Sequence, residues 1–225
     1  MMNYRLRFAL LSGLLLQAAS LYAQSLTLDN SRLLPNQVTL SFDRVLGNEA
    51  IKVLKDPTVQ AVDEPTFVRI KGVDFTNGTI EVKVLSRLLK NAPESARGFI
   101  GVAFRINEHN TKYESIYIRP TNGRATDQVR RNHAIQYYSY PDYKFDRLRK
   151  EAPERYESYA DMGLDEWITM RIVVSGQTAT LFLNNASQPS LIVNDLKHGP
   201  NASGGIGLWV EVGTEGYFRD LRVYN

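Results

Sequence analysis

Eight of the chain's 12 tyrosines fall between Tyr113 and Tyr159, and the same stretch carries Arg119, Arg124, Arg130, Arg131, Arg147, Arg149 and Arg155. Aromatic rings stack on the apolar faces of sugars while their hydroxyls hydrogen-bond. Guanidinium forks hold a carboxylate or sulfate through two parallel hydrogen bonds. The two together suit an acidic, uronate-rich glycan. The competing reading is a packed loop, with its tyrosines in the core and its arginines solvated or neutralised by Asp127, Asp142, Asp146, Glu151 and Glu154. His133 follows Arg130-Arg131-Asn132, and with Tyr138 it makes a candidate acid/base pair. A hydrogen-bonded structural histidine is the alternative. Glu211 is the candidate catalytic carboxylate, with Glu215 close behind it in the chain.

These side chains need elements to hold them. Period-two alternation, the mark of half-buried strands, recurs along the chain. It is clear over 79–84, 99–106, 115–119, 168–174, 179–184, 206–212 and 217–224. Asn77-Gly78, Ser175-Gly176 and Asn184-Asn185 supply turn chemistry between the runs. A short helix is expected from Phe145 to Ala152, ahead of Pro153. Many short strands with turns between them predict an all-β sandwich of two antiparallel sheets, most simply a jelly roll. If Ile116 and Ile118 face the core, Tyr117 and Arg119 face outward. By the same rule Arg105, Gln136, Tyr138, Trp209 and Glu211 point out, with Arg124 on the loop beside them. Trp209 also reads as a tryptophan covered by the long loop.

Composition narrows the chemistry. With no cysteine there is no disulfide framework, thiolate zinc site or cysteine nucleophile. Three histidines make a histidine-rich metal centre a poor expectation, and a net charge of +3 is too small to argue for nucleic acid. Arg5 and Arg7, the apolar run 8–16 and the small residues Ala18-Ala19-Ser20 have the three parts of a secretory leader. The run is shorter than the roughly 20 residues that span a bilayer. The expectation is cleavage near Ala23, one domain over 24–225, and a bacterial protein that is secreted or periplasmic. Removing Arg5 and Arg7 leaves a nearly neutral chain. What survives of the positive charge is local.

Several segments resemble known sequences. Phe75-Thr76-Asn77-Gly78-Thr79-Ile80-Glu81-Val82 is similar to a strand of concanavalin A-like and laminin-G-like domains. So are the pair 98–106 and 113–119, Glu166-Trp167 with Met170-Arg171-Ile172, Leu181-Phe182-Leu183-Asn184, and the closing pair 204–209 and 218–223. The resemblance covers roughly 64–225 and comes nearest to the secreted bacterial 3-keto-disaccharide hydrolase family. It implies a concanavalin A-like jelly roll with a concave sugar-binding sheet, and a hydrolase or lyase acting on an oligo- or polysaccharide. A polysaccharide lyase on this fold would use the His/Tyr/Arg set. A non-catalytic carbohydrate-binding module and a structural or adhesion domain are the alternatives. The paired acidic residues of glycanases with this fold have no counterpart here. The resemblance also implies a structural calcium at Asp220, with no other cofactor expected.

Overall fold

The computed structural model describes residues 23–25, as backbone, and 30–224; the leader expected over 1–23 lies almost entirely outside the described residues. The strands form two antiparallel sheets. The first runs β13 (Leu191–Val193), β12 (Thr178–Leu183), β11 (Ile168–Ser175), β6 (Gly78–Leu88), β15 (Thr214–Tyr224), β4 (Asn48–Lys55), β3 (Val38–Val45), with β1 (Ala23–Ser25) also paired to β15. The second runs β10 (Glu157–Ser158), β9 (Ile135–Tyr140), β8 (Tyr113–Ile118), β7 (Ile100–Ile106), β14 (Gly204–Val210), β5 (Phe67–Phe75), β2 (Leu33–Asn36). The all-β sandwich of two antiparallel sheets is as expected. So is the short helix α3 (Phe145–Glu151), which follows α1 (Pro120–Gly123) and α2 (Gln128–Asn132).

The two sheets are buried differently. Along β11, buried and part-exposed residues alternate, the pattern of a sheet with one face on the core and one toward water. In the second sheet β7 and β8 are buried at every position. Ile100, Val102, Ile116, Ile118, Leu208 and Val210 share one face by register. That face meets the first sheet: a Cβ on Gly216 of β15 would lie 2.5 Å from Val210 and 3.2 Å from Ile100. Tyr113, Tyr117, Gln136, Tyr138 and Trp209 share the opposite face. There the loop 56–66 and the segment 139–160 lie over them. Trp209 Nε1 donates to Glu64 O at 3.1 Å, and Tyr140 Oη donates to Glu64 Oε2 at 3.0 Å.

Candidate functional site

The covered face of the second sheet is an aromatic layer. Tyr113 and Tyr138 meet edge to face at 5.7 Å, and their hydroxyls hydrogen-bond at 2.9 Å. Trp209 and Tyr117 stand on either side of Gly101 in the row formed by β14, β7 and β8. The missing side chain at Gly101 lets the two rings approach to 4.8 Å. Trp209 and Tyr138 are fully buried, so the face expected to bind sugar is a second hydrophobic layer roofed by the protein's own loops.

At one end of this layer the roof is incomplete and leaves a cleft of about 320 Å³. Its lining comes from the ends of strands and the connections between them. Asp63 comes from the loop before β5, Arg97 and Phe99 from the approach to β7, and Tyr117 and Arg119 from the end of β8. Arg130 and His133 come from α2 and its C-terminal cap, Phe145 and Arg149 from α3, and Glu211 from the residue after β14. Loops at one end of a rigid sandwich are where binding residues gather.

Arg119 is the hub beneath the cleft. It donates to Tyr117 Oη (2.8 Å), Gln136 Oε1 (3.2 Å), His133 O (3.0 Å) and Glu157 Oε1 (3.1 Å). Its guanidinium is thus committed to the protein. Glu157 also takes two donors from Arg149, one at 3.0 Å. Burial acts to raise the Glu157 carboxyl, but the Arg149 bonds and the charges of Arg119, Arg149 and His133 outweigh it and hold it below the usual range. His133 Nδ1 lies 2.9 Å from Glu157 Oε2 but is poorly aligned for a hydrogen bond. Burial, opposed by Glu157 and assisted by Arg149 and Arg119, keeps the imidazole below its ordinary value and so neutral near pH 7.

Two carboxyls line the cleft itself. Glu211 pairs with Lys55 and accepts from the Asp63 (2.9 Å) and Val212 (2.6 Å) amides. Burial nevertheless raises it, against Lys55 and those amides. Asp63 is 2% exposed and accepts one hydrogen bond, from the Phe145 amide to Oδ2 at 3.0 Å. Burial, reinforced by Glu211 and opposed by the Phe145 amide, Arg119 and Lys144, pushes its carboxyl up to about 7. Among the described residues no cation lies within ion-pair distance of Asp63. Arg97 and Arg130 likewise have no carboxylate of the described residues within that distance. Arg97 donates to the Glu94 and Ala96 carbonyls and Arg130 to Asn122 Oδ1. Burial and the charges of Arg130 and Arg119, opposed by Glu94, push the Arg97 guanidinium down.

Of the residues singled out in the sequence, the structure brings Tyr117, Arg119, His133 and Glu211 to one cleft. Gln136, Tyr138 and Trp209 lie under it, each fully buried. The alternation that put Arg105 outward beside Phe104 is corrected. A register shift at Gly205/Gly207 and a left-handed φ of 54° at Arg105 turn the side chain into the far end of β7, away from the cleft. There it is 2% exposed and donates to Thr76 O, Gly176 O (2.8 Å) and Gly199 O (2.9 Å). Arg124 is on the surface, in a fork with Asp161 and Glu166. The surroundings of Asp220 do not fit calcium. Its Oδ2 is held by Lys83 (3.1 Å) and Arg219 (2.9 Å), and no group of three His, Asp or Glu gathers among the described residues.

Asp63, Arg97 and Phe99 escaped the sequence reading as site residues. Arg97-Gly98-Phe99 leads into a strand that was legible, and that adjacency was the available signal. Asp63 sits in a loop with no rhythm to mark it.

No family model matches the chain, and no curated protein matches it. Solved structures do. A carbohydrate-binding module from Bacillus subtilis superposes with a TM-score of 0.52 at 9% identity, covering 83% of this chain and 94% of that one. A Bacillus subtilis protein of unknown function with a galectin-like fold gives 0.50 at 10% identity, covering 83% and 87%. At such identities the likeness shows the fold alone, a jelly-roll β-sandwich.

Proposed function

We propose that the protein binds a glycan through an acidic sugar residue seated in the cleft at the end of the second sheet. The observation that carries this reading is the Arg97–Arg130 pair: two guanidiniums on the cleft wall, with no carboxylate partner among the described residues. Like charges in a partly buried site repel, and a bound carboxylate or sulfate relieves that repulsion through charge-assisted hydrogen bonds. Phe99 and Phe145 add apolar ring surface to the same cleft, which suits the apolar side of a pyranose. The carbohydrate-binding module with the same sandwich supports a glycan ligand, and the leader-like sequence supports action outside the cytoplasm.

Calorimetry with uronate oligosaccharides (oligogalacturonate, alginate and hyaluronan fragments) against neutral cello- and xylo-oligosaccharides tests the reading. Acidic ligands should bind, more weakly as salt rises. Arg97→Gln and Arg130→Gln should each cost about tenfold in affinity, roughly 1.4 kcal/mol. Equal binding of acidic and neutral ligands, or none of either, would overturn it.

A further inference from the structure

We propose that Asp63 is the proton-transferring group of this cleft, and that it cleaves the bound acidic sugar by β-elimination. This rests on the acidic-glycan reading above. Two carboxylates line the cleft and a third, Glu157, lies beneath Arg119; two of the three are committed. Glu157 is held by Arg119 and Arg149, and Glu211 by Lys55 and two backbone amides. Asp63 has neither an ion pair nor a second hydrogen bond among the described residues. Its loop is nonetheless fixed. The Asp63 amide is anchored on Glu211, Oδ2 on the Phe145 amide, and the backbone is left-handed with φ 51°. A carboxyl that is held in place but not neutralised can still exchange a proton. Hydrolysis with a carboxylate pair needs two such groups. Elimination needs one, beside cations that neutralise the sugar's own carboxylate.

The step balances without oxidant, reductant or water. Arg97 and Arg130 hold the sugar carboxylate, which acidifies the C–H bond α to it. The Asp63 carboxylate takes that C5 proton. The C5–H electron pair becomes a C4=C5 double bond as the C4–O4 bond breaks. The departing oxygen is protonated by Asp63, which returns as carboxylate. One glycan yields a saturated chain with a free hydroxyl and a chain ending in an unsaturated sugar. Burial places the Asp63 carboxyl at about 7, where both protonation states are populated near neutrality. The charged groups facing it are Glu211 after β14, Arg119 at the end of β8 and Lys144 before α3, and the titratable hydroxyls facing it are those of Tyr113 and Tyr117 on β8 and Tyr138 on β9.

The experiment incubates the full chain with hyaluronan and mannuronate-rich alginate fragments, in which the C5 hydrogen and O4 lie on the same face of the ring, within reach of a single carboxyl. It follows the ultraviolet absorption of the conjugated product, with calorimetric binding in parallel. The expected result is unsaturated ends, at a rate that rises with pH through about 7. Asp63→Asn should lose about a hundredfold or more in rate, with acidic ligands bound no more weakly and an unfolding temperature no lower than the wild type's. Asparagine accepts the left-handed backbone that aspartate adopts here, so the variant should fold. If it does not, the wild-type pH profile and the slowing of a C5-deuterated substrate decide. Acidic ligands that bind without forming unsaturated product, or full activity in Asp63→Asn, would overturn the inference and leave the binding reading intact. If no acidic ligand binds, the binding reading fails and this inference falls with it.

Discussion

Asp63 shows what a buried carboxyl without an ion pair costs the fold. Its carboxyl is raised to about 7 in the folded protein, against an ordinary value of 3.8. Between those values the folded state keeps a proton that the unfolded chain has lost, so stability falls as pH rises through that window. Above the folded value the full cost is present, on the order of a few kcal/mol. Asp63→Asn removes the charge. Urea unfolding should therefore show the variant gaining on the wild type between pH 5 and pH 8. Glu211, also raised by burial, adds to the wild-type slope in the same direction. Glu157 acts the other way, since its lowered carboxyl contributes stability that is lost as pH falls through the folded value. Glu157→Gln should weaken the Arg119 hub at neutral pH and lose most of its effect in acid, as the same titrations would show.

At the scale of elements, the cleft depends on a sheet that is buried on both faces. Gly101 is the clearest case. A Cβ there would lie 2.5 Å from the Tyr117 Cα and Cβ, so Gly101→Ala must push Tyr117 and its strand aside. Overpacking of this kind costs about 1–3 kcal/mol, readable as a lower urea midpoint. It should also weaken ligand binding, because Tyr117 is part of the cleft wall. Strand rhythm made these elements legible: the runs at 99–106, 115–119 and 206–212 closely match β7, β8 and β14. It also named the right face for Tyr117, Gln136, Tyr138 and Trp209. It did not reveal that the face is roofed. Alternation reports which residues share a side, while the cover comes from contacts such as Trp209 with the Glu64 carbonyl, far apart in sequence. Asp63 was illegible for the same reason, since nothing local marks a loop residue that acquires its character only under α3 and beside Glu211. Arg105 was misplaced because a bulge breaks the period on which the reading relied.

At the scale of the whole molecule, the sandwich separates two tasks by placing them at opposite ends of one strand. The cleft sits by Phe99 and Ile100. Arg105, five residues beyond Ile100, draws together the turns carrying Thr76, Gly176 and Gly199. At the usual strand rise the two lie roughly 17 Å apart. Arg105→Met would leave three carbonyls without their donor, a loss of about 1–3 kcal/mol or more, visible as a lowered thermal midpoint with glycan affinity unchanged. That separation has a consequence for how the chain can vary. Sites this far apart with no shared partners contribute almost independently, so the stability change of an Arg105→Met/Asp63→Asn double variant should equal the sum of the singles within about 0.5 kcal/mol. The far knot can then serve as a reserve: substitutions that tighten it would offset the cost of remodelling the cleft, without the two sets of changes having to be chosen together.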